Sequence, residues 1–446
     1  MDTPICEFVR DFAAGSPARL HMPGHKGKSF LGAEPLDITE VDGADSLYEA
    51  SGIIKKSEDN AGSLFGCPTF YSAEGSSLAI RAMLYLASLK TAAADRSFSV
   101  LAGRNAHKTF LSAAALLDAK ISWLYPESNA SYLTCAVPLD ELEKRLRQEH
   151  PDAVYITSPD YLGNMADIAA VSALCRKYNA LLLVDNAHGA YLRFLPRSLH
   201  PMDLGADMCC ASAHKTLPVL TGGAYLHIAG GNELFCGKAK AALSLFGSTS
   251  PSYLIMQSLD MANAYLTDGY KEKLAFFTEK IMELKNRLAR EGYTFLGDEP
   301  LKLTIAAKKR GYTGKELAEL LKRKNIVCEF ADPDHLVLML TPELDDDALP
   351  RLEEALAAIP AKKELDPTMP AFAPPPVVLS PREALMSDNE DLPTEKCAGR
   401  ILASANIACP PAVPVVVCGE KIEADAIACM KYYGITNCCV VKKTVT

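Results

Sequence analysis

The chain has 446 residues, of which 49% are apolar and 23% charged, so it is long enough for two or three soluble domains with a large core. Its net charge of -9 makes a nucleic-acid partner unfavourable, and no apolar run approaches the ~20 residues that span a bilayer. The N-terminus has no basic-then-apolar signal, so we expect a cytoplasmic protein that binds neither nucleic acid nor membrane. The 14 cysteines have no C-x-x-C pair and no zinc-like spacing, which favours reduced, buried thiols and no metal site.

Short apolar runs alternate with longer helical patterns between about residues 60 and 230. The predicted helices cover 76–90 and 139–150, and the predicted strands cover 97–103, 153–158, 180–189, 206–213 and 222–229. Near-continuous apolar strands that alternate with helices are typical of a mostly parallel central sheet covered by helices. The sequence therefore predicts the α/β fold class.

The second part of the chain has a different pattern. Residues 258–292 form one long helical pattern, and strand and helix signals then alternate as far as residue 360, which predicts a smaller α/β layer. A proline-rich stretch at 366–381 predicts a connector. The predicted domains are an N-terminal arm and segment, a cofactor-binding major domain, a small α/β domain, and the connector with a C-terminal module, at 1–58, 59–257, 258–362 and 363–446.

Three predicted strands end in polar side chains suited to chemistry, at the carboxyl edge where an open parallel sheet binds its ligands. These side chains are His107, Asp185, His188, Ser212, His214 and Lys215. Upstream, Gly75, Ser76 and Ser77 begin a helix whose free N–H groups are suited to phosphate. Together they are the parts that pyridoxal phosphate needs, because a lysine forms a Schiff base with its aldehyde, a carboxylate pairs with its pyridine nitrogen, a ring stacks on its face and a Gly/Ser turn holds its phosphate.

Each of these residues has an ordinary structural alternative. The Gly/Ser helix start is most often only a cap, Asp185 fits a turn, His107 fits a surface or core position, and Lys215 can reach solvent through its long stem. The order of Gly/Ser turn, histidine, aspartate and lysine along one sheet favours the cofactor site over four separate explanations.

The motifs that carry this site resemble the bacterial ornithine/lysine/arginine decarboxylases over essentially the whole chain. That family consists of pyridoxal-phosphate enzymes of the aspartate-aminotransferase fold, also called fold type I. The similar segments, in chain order, are "LHMPGHKGKSFLG", "DITEVDGADSLYEASGII", "RNAHKTF", "ITSPDYLGNMADI", "LLLVDNAHGAY", "ASAHKTLPVLTGGAYL", "GSTSPSYLIMQSLD", "LSPREAL", "AGRILA" and "CPPAVPVVVCGEKI".

The resemblance implies a role for each matching residue. Lys215 would bind the cofactor covalently, Asp185 would bind the pyridine nitrogen, and Ala187 and His107 would contact the two faces of the ring. His188 would lie near the cofactor oxygen or the substrate carboxylate, and Lys215 or His214 would return a proton to the substrate. The residues implied around the phosphate are Gly75, Ser76, Ser77, Ser212 and His214, together with Thr249 of the neighbouring subunit in a homodimer.

Several neighbours of these residues depart from the family pattern. Asn186 replaces a glutamate, and Glu74 replaces the asparagine before the phosphate turn, where a carboxylate is electrostatically unfavourable unless it points away. Tyr48 and Asp160 replace a histidine and a threonine, and "PPAVP" replaces Pro-Pro-Gly-Ile-Pro. These changes affect the choice of substrate more than the chemistry.

The resemblance implies decarboxylation of a basic amino acid, with arginine first and lysine or ornithine next. A buried guanidinium or ammonium needs a carboxylate partner, and the candidates are Asp45, Asp160 and Glu420. Because a fold does not fix a reaction, an aminotransferase or lyase on the same cofactor remains an alternative, as does a regulatory relative without catalysis.

Overall fold

The computed structural model describes residues 1–92, 96–126, 133–134, 136–370, 373–405 and 413–443. Part of the proline-rich connector and the "PPA" of the C-terminal motif lie outside the described residues. No helix in the described ranges is long and apolar enough to cross a membrane.

Helices and strands alternate along most of the described chain. The first part contains α1 Pro4–Ala14, α2 Ile53–Phe65, β1 Thr69–Ser72, α3 Gly75–Ala92, β2 Ser99–Gly103, α4 Lys108–Leu116, β3 Lys120–Leu124, α5 Leu139–Glu149, β4 Ala153–Thr157, α6 Ile168–Lys177, β5 Leu181–Asp185, β6 Met208–Ala211, α7 Ala213–Thr216 and β7 Ala224–Ile228. The second part contains α8 Glu233–Ser244, α9 Tyr253–Thr267, α10 Tyr270–Arg290, β8 Phe295–Leu296, β9 Lys302–Ala306, α11 Gly314–Lys322, β10 Phe330–Ala331, β11 His335–Met339, α12 Ala348–Ala357, α13 Pro381–Met386, β12 Asn389–Pro393, α14 Ala424–Tyr432 and β13 Asn437–Val441. Short 3₁₀ helices lie at Glu34–Leu36, Leu47–Glu49, Leu192–Phe194, Ala307–Arg310 and Thr394–Lys396.

The chain forms two compact units, and the first contains four strands of the seven-stranded central sheet. This unit 1 consists of Met1–Ala93, Ile168–Arg176 and Leu181–Ala275. Its strand order is β1-β7-β6-β5; β5 and β6 are parallel, while β7 is antiparallel to both of its neighbours. Every residue of β6 and β7 is buried, which is why their sequences are almost continuously apolar.

Unit 2 consists of Ala94–Asp167, Lys177–Ala180 and Phe276–Thr446. It contains the other three strands of the central sheet in the order β4-β2-β3, all parallel, and a four-stranded antiparallel sheet in the order β10-β11-β9-β8. The C-terminal segment shares one hydrophobic core with this smaller sheet, because Val416 and Ile422 belong to the same buried cluster as Phe330 and Val337.

The sheet confirms the predicted α/β class with a mostly parallel centre, and differs from the prediction in three details. The five predicted strands of this sheet correspond to β2, β4, β5, β6 and β7. β1 and β3 were not predicted, and β7 runs antiparallel, which a run of buried apolar residues does not reveal. The predicted domain boundaries stay predictions.

Candidate active site

Lys215 lies where β6 ends and the short helix α7 begins. The strand positions it because all four residues of β6 are buried and Ser212 still has an extended backbone, so the chain turns only after the sheet edge. The side chain is half-buried, and its Nζ lies 3.1 Å from Nε2 of His188. The lysine amine is therefore directed at an imidazole that follows the neighbouring strand β5.

Asp185 is the last residue of β5 and is almost completely buried. Its Oδ1 accepts hydrogen bonds from the Ala187 N–H at 3.2 Å and from the Cys210 thiol at 3.4 Å. Burial, reinforced by the charge of Asp185, raises the pKa of Cys210 well above its usual value, so this thiol remains a donor. The β5–β6 register pairs Asp185 with Cys210, which places the carboxylate beside the strand that leads to Lys215.

The beginning of α3 lies beside the α7 segment, and we call Gly75, Ser212 and His214 the cradle. Gly75 has a φ of +72°, and its N–H donates to the Gly222 carbonyl at 2.7 Å. A Cβ at Gly75 would lie 3.9 Å from Cε1 of His214, whose Nδ1–H donates to the Gly223 carbonyl at 2.9 Å. Burial, and the nearby Lys215, lower the pKa of His214, so the ring is held neutral with Nε2 as an acceptor.

Ser212 provides a direct test of whether this cradle fits an anion. Its Oγ is buried and has no hydrogen-bond partner among the described residues. A buried hydroxyl without a partner is costly, and a ligand oxygen would satisfy it. Ser76 and Ser77 lie in the first turn of α3, and the N–H groups at a helix N-terminus are suited to an anion. These residues fit a phosphate group.

Glu74, the residue that seemed unfavourable beside a phosphate, is held by another segment. Its Oε1 accepts the N–H of Ser248, and its charge contributes, after burial, to raising the pKa of Tyr48 to about 12. The carboxylate is thus satisfied by the exposed 248–250 segment, which also carries Thr249.

His107 follows β2 in unit 2 and caps helix α4. Its Nδ1 accepts the N–H of Thr109 at 3.2 Å, so the proton of the neutral ring is on Nε2. This bond fixes the orientation of the imidazole, as a ring-stacking role requires. The role itself stays a prediction.

The three candidate substrate carboxylates all have partners within the chain. Asp45 in unit 1 accepts the N–H groups of Gly52 and Ile54, at 2.7 and 3.1 Å. Asp160 in unit 2 is fully buried and accepts those of Leu162 and Asn164, both at 2.9 Å.

Glu420 in unit 2 differs from the other two acids because one of its two oxygens has no hydrogen-bond partner among the described residues. Its Oε2 lies 3.1 Å from Arg104 Nη2 and 2.8 Å from the Val417 N–H, whereas Oε1 is buried with no hydrogen-bond partner among the described residues. Burial raises the pKa of Glu420, while the guanidinium of Arg104 acts to lower it.

Sequence reasoning missed Cys210 and the Gly222–Gly223 turn as parts of this site. The thiol of Cys210 reaches Asp185 only through the register of two strands, and the two glycines act through their carbonyl oxygens, which leave no signal in residue type. The apolar run "CCASA" was a signal for the strand but not for the contact.

The fold, a mostly parallel seven-stranded sheet with helices, is that of a class of α/β enzymes, the pyridoxal-phosphate enzymes of fold type I. Residues 3–296 match the family described as Orn/Lys/Arg decarboxylase, major domain, and residues 370–439 match its C-terminal domain. The chain therefore belongs to the Orn/Lys/Arg decarboxylase family, as the motifs indicated, and is a pyridoxal-phosphate-dependent amino-acid decarboxylase.

Individual relatives match the chain over almost its whole length. The chain is 31% identical to an arginine decarboxylase of Bacillus subtilis (strain 168), over 96% of this chain and 92% of the relative. It is 30% identical to the uncharacterized protein YaaO of the same organism, over 96% and 93%. The constitutive lysine decarboxylase of E. coli has the same fold, with a TM-score of 0.76 at 18% identity, over 99% of this chain and 82% of that one.

Proposed function

We propose that the chain decarboxylates arginine, with lysine and ornithine as weaker substrates, and that Lys215 and Asp185 hold pyridoxal phosphate for this reaction. The observation that carries the proposal is the Lys215–His188 contact at 3.1 Å beside the buried carboxylate of Asp185. The choice of arginine rests on the Bacillus subtilis relative that is named an arginine decarboxylase.

The residues of unit 1 fit the cofactor group by group. Lys215 would bind it covalently, and Asp185, kept in place by Ala187 and Cys210, would pair with its ring nitrogen. The Ser212 hydroxyl and the α3 N-terminus would hold the phosphate. When bound, the cofactor supplies an electron sink for the pair released as the Cα–carboxylate bond breaks.

Lys215 is the better candidate for returning a proton to the substrate Cα. His214 donates its Nδ1–H to a backbone carbonyl and has a lowered pKa, so it has no second proton to give at neutral pH. Lys215 instead contacts the imidazole of His188, which orients the amine and can exchange a proton with it.

We propose that Glu420 meets the distal cation of the substrate. Of the three candidate acids, it is the one with a buried oxygen that has no hydrogen-bond partner among the described residues. A buried carboxylate oxygen without a partner would be stabilised by a charge-assisted hydrogen bond from a guanidinium.

The test of the substrate class is carbon dioxide release from a panel of amino acids. Arginine is expected to give the highest kcat/KM, and citrulline, which has nearly the same shape without the charge, is expected to be slower by about 10²–10³-fold, because a buried carboxylate would lose its ionic partner. Carbon dioxide is measured together with the amine product. Faster release from a neutral amino acid, or formation of a keto acid, would contradict the proposal.

We further propose that two chains share each site. The N-terminal segment around the "HMPGHKG" motif exposes Leu20, Phe30 and Leu31 at 95%, 77% and 94%. Apolar side chains concentrated on one exposed segment favour a protein partner. Thr249 lies in another exposed segment, as a contact with a neighbouring chain would require.

Mixing two inactive variants tests the shared site. Chains with Lys215→Ala and chains with Thr249→Trp are expected to be inactive alone and, after exchange at equal amounts, to regain about a quarter of wild-type activity, because half of the dimers are mixed and one of their two sites is native. Chain exchange is followed by native mass spectrometry. No recovery in spite of exchange would show that each chain builds its own site.

A further inference from the structure

A second group of reactive side chains lies in unit 1, in the loop before β6 and on the sheet. It consists of His200, Cys209 and His227, all completely buried. One nitrogen of each ring and the Cys209 sulfur all lie within 4.8 Å of one another. The proposed catalytic chemistry uses none of these three residues.

The strand register builds this cluster. His227 on β7 is paired with Cys209 on β6 and with Thr69 on β1. The side chains of Thr69, His227 and Cys209 therefore lie in one row on one face of the sheet. Cys210, the next residue of β6, faces the opposite side, where its thiol donates to Asp185. The cluster is therefore separate from the cofactor site, although β6 carries residues of both.

The hydrogen bonds of His227 leave one nitrogen available. The Thr69 hydroxyl donates to the Cys67 carbonyl at 3.0 Å, so its oxygen accepts the Nδ1–H of His227 at 2.9 Å. Nε2 of His227 then carries a lone pair, and it has no hydrogen-bond partner among the described residues. A ligating histidine usually gives its other N–H to a polar neighbour in this way.

His200 is a stronger anomaly than His227. It is fully buried, and neither of its ring nitrogens has a hydrogen-bond partner among the described residues. Its ring packs at 5.1 Å from that of His227 and at 5.6 Å from that of Phe65, measured between centroids. Aromatic packing accounts for a flat ring at this position, but it leaves the two ring nitrogens of His200 without hydrogen bonds. A phenylalanine or leucine at this position would have no buried polar atoms to satisfy.

We propose that His200, Cys209 and His227 bind a thiophilic d¹⁰ metal ion, Zn²⁺ or Cu⁺. Imidazole nitrogens and a thiolate are the ligands these ions prefer. With metal–ligand distances of about 2.0–2.3 Å, donor atoms in such a site lie about 3.3–3.8 Å apart, so small side-chain rotations would close the observed cluster. The sequence gives no sign of the site, because three separate segments supply its ligands.

The charge of the site bears on the choice between the two ions. Cys209 is the one anionic ligand of the three, so Cu⁺ with the thiolate would be neutral, whereas Zn²⁺ would leave a net positive charge in a dry, aromatic environment. Either ion would connect β6, β7 and the loop before β6. Because β6 leads directly to Lys215, the ion would fix the strand that delivers the catalytic lysine.

The first experiment measures metal content and coordination. Purified full-length protein is stripped with a chelator, loaded separately with Zn²⁺ or Cu⁺, dialysed against a weak chelator and analysed by elemental mass spectrometry and X-ray absorption. We expect about one retained ion per chain with nitrogen and single-sulfur coordination. Cys209→Ser is expected to lose it, whereas the control Cys175→Ser, a buried cysteine on α6, should retain it. No retained ion, or equal retention by both variants, would overturn the proposal.

The sign of a stability change provides an independent second test. If His200 is merely a core residue, His200→Leu removes two unsatisfied nitrogens and should raise the unfolding midpoint. If it is a ligand, the loaded wild type should unfold at a higher temperature than the stripped protein, and His200→Leu should abolish this difference. A midpoint that is insensitive to either ion in the wild type would count against the site.

Discussion

Replacement of Lys215 by alanine is expected to lower kcat by about 10⁴-fold or more, because both the proposed covalent bond to the cofactor and the proposed proton return depend on its amine. The variant should still bind the cofactor, since Asp185 and the Ser212 cradle are unchanged. Borohydride reduction of the wild type should fix the cofactor to the peptide that contains Lys215, and reduction of the variant should fix none.

Lys238→Ala is a suitable control for this experiment, because Lys238 is an exposed lysine of the same unit. It should keep both the turnover and the label on Lys215. A label on a different lysine in cofactor-loaded wild type would contradict the assignment of Lys215, whatever the activity of the variants.

The largest expected effect on stability comes from the Arg104–Glu420 pair, in which both side chains are almost completely buried. Removing one partner of a buried ion pair costs about 3–5 kcal/mol, because the other charge is left uncompensated. Arg104 also donates to the carbonyls of Pro414 and Val415, at 2.9 and 2.8 Å, so its loss should be at least as costly as that of Glu420. Arg104→Met and Glu420→Gln should therefore both lower the urea midpoint.

A double-mutant cycle separates the two roles of Glu420. Combining Arg104→Met with Glu420→Gln should cost less stability than the sum of the single changes, because neither charge then remains unpaired. If Glu420 also binds the substrate cation, Glu420→Gln raises KM for arginine under conditions where the protein stays folded. An unchanged KM would leave the pair with a purely structural role and remove Glu420 from the proposed substrate site.

The sequence predicted those parts of the fold that depend on burial alone. β5, β6 and β7 are buried on both faces, so their apolar runs were sufficient. β1 and β3 were missed because polar residues, such as Thr69 in β1 and Lys120 in β3, interrupt their apolar pattern. The direction of β7 depends on its pairing with β1 and β6, which no local pattern encodes.

The features of the candidate site also fall into two groups, those that the sequence predicted and those that it could not predict. Asp185 and Lys215 were predicted because each lies at or just beyond the end of an apolar strand, a position that the sequence shows directly. The Cys210–Asp185 bond and the His227–Cys209 pairing require the register between strands, and the bond from Ser248 to Glu74 joins segments that are distant in sequence. Contacts of this kind come from tertiary structure.

The hydrogen bond from the Gly75 N–H to the Gly222 carbonyl joins β1 and α3 to the turn that precedes β7, two regions that are distant in the sequence. A contact between such distant segments pays the loop-closure entropy of the intervening chain, so it forms late in folding. We therefore expect the phosphate cradle to form late in folding, and cofactor capture to follow the pairing of β7 with β1 and β6. Added cofactor should slow unfolding and leave the rate of the first folding steps unchanged.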